Sequence, residues 1–585
     1  MTTRRVAPCA PHLATFLAPL RGAANFKLRH YRLARQYPFL AELALCPSFP
    51  SIRYTAYPLS RSKPSSPRTA RSAVFVAAGI LLSRIAGFIR LRAFAHYFAL
   101  ESDAADAFTA AFRIPNFLQN LFGEGALSAS FIPVYAALVA REDRREADRL
   151  AGAVASILAL IVSGIVLVGV LTTPFLIGVI APGFSGEKRE LTIQLVRILF
   201  PGAGLLVLSA WCLGVLNSHY RFLLSYAAPV LWNAAMIGTL VLYGHSELPR
   251  LAALLAWGSV AGSALQFAIQ IPVVLRVAPD LRFSIQISEH VRTVARNFVP
   301  AFISRGVVQL SAYIDTLLAT LLPTGAITGL GYAQLLYTLP VSLFGMSVSA
   351  AELPAMSGVL GADAAGLETV RRRLDAGLRQ IAFFVLPSAV AFLALGDVIA
   401  AGLLQTGRFR YDDAVYVWGI LAGSSIGLLA STLGRLYSST YFALRDTRTP
   451  LRYALVRVML GTVMGYFFAI PLPRWLGIPA LWGAAGLTFA GGLVGWVEML
   501  LLRRKLNSRI GRTGLSPGYL LRLAVSAVIG AAGAWAVKLA LPAIHPIPAA
   551  VLILGTYGLL YFGMSAAFRI PEMAAVLSRF RLRRR

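Results

Sequence analysis

A small set of ionisable side chains sits inside apolar stretches of this chain, and these residues are the first to question for chemistry. An ionisable group at the centre of a bilayer costs at least about 3 kcal/mol on insertion scales, so it is kept there for a purpose. Arg84 and Arg90 share one apolar run, and helical periodicity puts them about 120° apart around the axis with Gly87 angularly between them. Arg84 is about three turns inside that run, too deep to reach water easily, whereas Arg92 near its far end is placed to snorkel. The next run carries Asp106, Arg113, Asn116 and Glu124 and is interrupted by Pro115, Gly123 and Gly125. A broken, charged helix lines a cavity in preference to facing lipid. Asp106 and Arg113 lie on one face but about 10 Å apart along the axis, too far for a direct pair without bending. Arg305 and Asp315 share a later run. Two opposed cationic walls favour an anionic substrate, and arginine suits phosphate because its planar fork donates bidentately. Pairing of Arg305 with Asp315 or Glu352, which would only neutralise the arginine, stays open as the structural alternative. Asp315 reads equally as a sodium or proton coupling site and as an arginine partner.

These residues recur in a pattern. Ser83-Arg84 matches Ser304-Arg305, Phe122-Gly123 matches Phe344-Gly345, Pro133 matches Pro354 and Pro229 matches Pro450, with a Leu-Gly-x-Leu-x-Ser motif at Leu213 to Ser218 repeated at Leu433 to Ser438. All fall in order at an offset of 220 to 222 residues. Such internal repeats mark transporters that place the substrate site at the repeat interface.

The elements that must position the charges are membrane helices. Of 585 residues, 57% are hydrophobic and 14% charged, too apolar for one soluble core. The formal net charge of +30 could be read as nucleic-acid binding, but the basic residues cluster in alternate short links, such as Arg141 to Arg149, Arg371 to Arg379 and Arg503 to Arg512. That is the distribution of positive-inside orientation. Apolar runs long enough to cross about 30 Å of hydrocarbon give an all-α polytopic membrane protein of about fourteen transmembrane helices. The expected organisation is a six-helix bundle at 73–278, a homologous six-helix bundle at 279–503, two additional helices at 504–570 and a basic tail at 571–585, with both termini cytoplasmic. Residues 1–72 hold twelve Lys or Arg against a single acid, Glu42. They are read as a basic, disordered extension or a misassigned start in preference to a transit peptide.

Enzyme signatures are missing: no Walker A, no H-E-x-x-H and no G-x-S-x-G. Cys9, Cys46 and Cys212 have no metal-ligand or disulfide-like spacing, so no metal or cofactor is expected. Transport would then draw on a sodium or proton gradient, the membrane potential or substrate supply.

The stretches Ser83 to Arg90 (S-R-I-A-G-F-I-R), Ala105 to Leu118 (A-D-A-F-T-A-A-F-R-I-P-N-F-L) and Phe122 to Pro133 (F-G-E-G-A-L-S-A-S-F-I-P) resemble the MurJ/MviN family of lipid II flippases. Further matches are A-P-V-L-W-N at Ala228 to Asn233, Q-T-G-R-F at Gln405 to Phe409 and R-D-T-R-T-P at Arg445 to Pro450. The resemblance implies an inner-membrane protein of the multidrug and polysaccharide exporter superfamily. It would move undecaprenyl-diphosphate-linked muropeptide, lipid II, across the membrane by alternating access, alongside membrane lipids and the cell-wall synthesis machinery. Arg84 and Arg90 would hold the diphosphate, while Asp106, Asn116 and Glu124 match positions near the cavity or its gate. The chain departs from the family at Gln119, Asn120, Gln334 and Leu335, where cavity arginines or an acid are expected, and at Leu91. Arg305 would restore positive charge to the second bundle. A flippase for another polyprenyl-diphosphate-linked glycan, an ion-coupled small-molecule exporter and a non-transporting scaffold remain as alternatives.

Overall fold

The computed structural model describes residues 67–358, 364–542 and 544–574. The basic extension before Pro67 and most of the basic tail lie outside the described residues. The first described helix begins at Pro67, six positions ahead of the expected span.

Nineteen helices make up the described chain. The first half contains α1 (Pro67–Tyr97), α2 (Asp103–Leu118), α3 (Ser128–Ala140), α4 (Arg144–Ile180), α5 (Gly186–Ser218), α6 (Phe222–Ala227), α7 (Pro229–Tyr243) and α8 (Leu248–Val277). The second half contains α9 (Glu289–Thr320), α10 (Ala326–Pro340), α11 (Ser347–Ser357), α12 (Ala364–Leu404), α13 (Tyr411–Ile426), α14 (Leu428–Ala443), α15 (Arg448–Ala469), α16 (Pro471–Leu476) and α17 (Gly483–Ile510). Last come α18 (Pro517–Ala540) and α19 (Pro546–Ala567). Where the apolar runs number about fourteen, ten described helices are long and apolar enough to cross a membrane, or eleven if α13 and α14, bent by 43°, count as one. Three further long helical stretches, α1, α2 to α3, and α9, are the ones that hold the intramembrane charges singled out above.

The repeated Phe-Gly pairs explain how both halves break their second long helix. Phe122-Gly123 falls inside a π-helical segment, Gln119–Leu127, between α2 and α3. Phe344-Gly345 falls inside another, Val341–Met346, between α10 and α11. Proline removes one backbone donor and glycine lowers the cost of a widened turn, so Pro115 with Gly123 and Gly125, and Pro340 with Gly345, favour the i→i+5 pattern at these points.

The long helix α12 is bent at Leu395 (φ −131°, ψ 17°) and contains Pro387. Both features strand backbone carbonyls in a medium that cannot solvate them. The carbonyl of Phe383, four residues before Pro387, accepts the Tyr561 hydroxyl at 2.5 Å. Near the bend, Trp418 Nε1 donates to the carbonyls of Phe392 and Leu393 at 3.1 and 3.0 Å, and Trp535 Nε1 to that of Ala394 at 2.8 Å. Lys538 of α18 reaches Asp397 Oδ2 at 2.5 Å, and Tyr411 donates to the same oxygen at 2.6 Å. Helices α18 and α19 are therefore fastened to α12 through the polar groups its distortions expose.

Candidate functional site

Arg90 is built into a fixed posture. Its Nε donates to Asn233 Oδ1 at 2.9 Å, and Asn233 Nδ2 donates to the carbonyl of Pro229 at 2.9 Å, which orients the amide. The guanidinium carbon lies 5.3 Å from the centroid of Phe112 and 5.5 Å from that of Trp232, two rings stacked 5.5 Å apart and 6° from parallel. Trp232 is held in turn by its Nε1, which donates to Ser259 Oγ at 3.1 Å. The ring faces stabilise the cation without using its N–H groups. Both Nη groups of Arg90 make no hydrogen bond among the described residues, leaving the forked end for an external anion. Arg84, about 9 Å away along the same helix, is exposed and likewise without a hydrogen bond or ion pair among the described residues.

Asp106 has the opposite character. It is 1% exposed and saturated. Lys188 Nζ lies 3.0 Å from its Oδ2, which also accepts the Gly325 N–H at 2.9 Å. Its Oδ1 accepts the Thr328 N–H at 3.1 Å and the Thr328 hydroxyl at 2.8 Å. Asp103 joins the cluster, 3.1 Å from Lys188 Nζ and accepting the Thr324 hydroxyl at 2.8 Å. A carboxylate on the free amides at the start of α10 is favoured by the helix dipole as well as by the hydrogen bonds. Gly325 adopts φ +97°, a conformation L side chains rarely take, and so turns the α10 amides toward the carboxylate. Asp106 is thus the centre of a latch joining α2, α5 and α10.

A second connection runs beside it. Arg92 does not snorkel; its Nη1 donates to the carbonyls of Leu403 at 2.8 Å and Gly402 at 3.3 Å, the end of α12, where the dipole favours a cation. His96 Nδ1 is 2.8 Å from Thr406 Oγ1, and the Arg408 N–H donates to the His96 carbonyl at 2.9 Å. A Cβ on Gly407 would come within 2.3 Å of that carbonyl oxygen, so the close approach requires glycine.

Arg113 meets α9: its Nη1 donates to Thr316 Oγ1, and its own carbonyl accepts the Tyr313 hydroxyl at 2.6 Å. Asp315 is exposed and makes no hydrogen bond or ion pair among the described residues. Arg457 pairs with Glu498 at 3.0 Å. Asn116 and Leu335 are half-buried, while Asn120 is exposed. The side chains of Arg305 and Glu124 lie outside the described residues. Among the described residues no group of three or more His, Cys, Asp or Glu could hold a metal.

Sequence reasoning missed Lys188, Thr324, Thr328 and Trp232. Asn233 and Trp232 end the matched A-P-V-L-W-N motif, which was a signal. Lys188 carried none, since its importance comes only from the helix opposite.

An all-helical, multi-span membrane protein with a free arginine fork on α1, and a buried acid latch joining α2, α5 and α10, has the architecture of a transporter. The family model described as lipid II flippase MurJ matches residues 94–562, so the chain belongs to the MurJ family. It is 31% identical over 459 residues to a lipid II flippase MurJ of Burkholderia cenocepacia, covering 77% of this chain and 86% of the relative. It is 30% identical over 506 residues to a probable lipid II flippase MurJ of Rhizobium meliloti, covering 85% and 92%. Its fold is similar to a solved lipid II flippase MurJ in an inward closed conformation (TM-score 0.68, 23% identity, 85% of this chain and 98% of that one). It is also similar to an inward-facing MATE family multidrug transporter (TM-score 0.57, 16% identity, 75% and 98%).

Proposed function

We propose that this protein carries lipid II across the inner membrane, from the cytoplasmic to the periplasmic leaflet, binding its diphosphate with Arg90 and Arg84. One observation carries the reading: Arg90 is immobilised through Nε and its ring face while both Nη groups stay free. A planar fork held still in a half-buried setting binds a diphosphate oxygen pair with little ordering cost. Lipid tails would remain in the bilayer while the disaccharide pentapeptide crosses between two bundles, 73–278 and 279–503. The latch around Asp106 joins loops on the arginine-poor side, read as periplasmic, so its release would open the outward path and its closure the inward one. Asp315 serves in this reading as counter-charge to Arg457 and Arg113 more than as a sodium or proton site.

The test is a depletion-rescue assay combined with lipid II translocation in proteoliposomes. Arg90→Ala is expected to abolish translocation with normal membrane levels; retained translocation overturns the diphosphate role. A second reading, transport of another polyprenyl-diphosphate-linked glycan, draws on Gln119, Asn120 and Leu335, where cavity arginines are expected. The lipid-linked intermediate that accumulates on depletion separates the two.

A further inference from the structure

A cavity of about 130 Å³ lies between α4, α5 and α8 and is lined by none of the residues of the transport site. Ala159, Leu208, Trp211 and Phe267 are among its walls, and Leu281 and Phe283, from the link between the two halves, close one end. Its surface is apolar, and the hydroxyl of Ser156 among its walls is spent on the Gly152 carbonyl at 2.9 Å. Trp211 is 4% exposed, and its Nε1 is buried without an acceptor. A buried donor left unpaired costs about 1–3 kcal/mol, and an apolar cavity of about 150 Å³ accepts a hydrocarbon guest while excluding water. Hydrocarbon of this kind is the chemistry of a lipid acyl chain.

The segment that closes the cavity is shaped for a membrane surface. It runs without helix from Ala278 to Ser288 and is pinned to α4 twice. The Asp280 N–H donates to Asp148 Oδ2 at 3.0 Å, and a Cβ on Gly152 would come within 2.1 Å of the Arg282 carbonyl oxygen. Beyond the pins Phe283, Ile285 and Ile287 alternate outward, 70, 66 and 69% exposed. Three large apolar side chains in a row at the end of a membrane helix fit the headgroup boundary of a bilayer and not water. Arg276 and Arg282 adjoin the cavity residues Leu275, Leu281 and Phe283; both are exposed and have no carboxylate partner among the described residues.

We propose that the cavity and this strap form a binding site for an anionic phospholipid of the leaflet on the arginine-rich side. One acyl chain enters the cavity beside Trp211, and its phosphate lies against Arg276 and Arg282. The strap is the covalent link between the two halves, so the bound lipid sits where they join.

The full-length protein in nanodiscs of phosphatidylcholine doped with chain-brominated phosphatidylglycerol or chain-brominated phosphatidylcholine tests this. The readout is the quenched emission that differs between wild type and Trp211→Phe. Brominated phosphatidylglycerol is expected to quench this component several-fold more than brominated phosphatidylcholine at equal content. Arg276→Gln with Arg282→Gln is expected to remove the preference, and Ala159→Phe, which fills the cavity, to remove the quenching. Equal quenching by the two lipids in the wild type overturns the proposal without reliance on any arginine variant, and so does a preference that survives the double arginine substitution.

Discussion

Asp106 on α2 and Thr328 on α10 stand 222 positions apart and meet through two hydrogen bonds, from the Thr328 N–H and hydroxyl to the same carboxylate oxygen. That separation is the offset at which Phe122-Gly123 and Phe344-Gly345 recur, so the contact joins corresponding points of the two halves. Asp103 and Thr324, 221 apart, repeat the relationship one turn earlier. Where two similar bundles face each other, corresponding residues touch only near the axis that relates them. The bonds from Asp103 and Asp106 to Thr324, Gly325 and Thr328 therefore join positions that the repeat makes equivalent, while Lys188 holds both acids from within the first half.

Asp106→Ala leaves the Lys188 ammonium and the α10 amides without their buried acceptor. Removing one member of a buried pair costs about 3–5 kcal/mol. The spin-label distance between positions 101 and 323, exposed and outside the latch bonds, is expected to lengthen and broaden relative to the parent protein, with Asp106→Asn intermediate. An unchanged distribution would show that the latch does not hold the halves.

Arg90→Lys keeps the charge but loses the fork and the second donor. The loss of about 1–3 kcal/mol from a charge-assisted hydrogen bond predicts translocation reduced by roughly tenfold or more. Asn233→Ala frees the guanidinium without removing it and should give a smaller fall, read in the same proteoliposome assay.

Gly325→Ala separates strain from space. The nearest atoms to an added Cβ, Glu101 Cγ and the Leu100 carbonyl oxygen, are 3.4 Å away, so room exists. The φ of +97° does not suit alanine, and a left-handed L residue costs about 1–2 kcal/mol. A lowered thermal unfolding midpoint is expected, together with easier opening of the latch in the 101–323 distance measurement.

Trp535→Phe and Tyr561→Phe each remove one donor from α12 while keeping the ring. Each should cost about 1–3 kcal/mol, because a stranded carbonyl in the membrane has no water to turn to. Thermal unfolding in detergent reads this, and limited proteolysis after residue 510 should report looser docking of α18 and α19.

Asp446, in the matched R-D-T-R-T-P motif, predicts an acid-sensitive loop. Its carboxyl is held down to about 2, first by the Thr449 N–H and then by the Thr449 hydroxyl and Arg509, whose Nη1 is 2.7 Å away. Because the folded value lies below the ordinary 3.8, the stabilisation is complete above about pH 4 and is lost as the pH falls through about 2. Asp446→Asn should flatten the pH dependence of unfolding in that window; an unaltered profile would contradict the assignment.

The helical class, the broken second helix of the first half and the family were all legible in the sequence. Hydrophobic run length, Pro and Gly placement and the repeat offset are local or periodic properties that survive without three-dimensional information. The intramembrane arginines were legible too, since their cost alone marks them. What each one does was not. Arg92 resembled a snorkelling residue until the end of α12 was found beside it, Asp106 resembled a cavity ligand until Lys188 and α10 closed on it, and Lys188 had no signal at all. Sequence fixes the energy of placing a charge in the membrane, whereas the partner that offsets it comes from a helix distant in the chain. That choice belongs to the packing, and so tertiary structure alone decided that Arg90 keeps its fork free while Asp106 is bound on both oxygens.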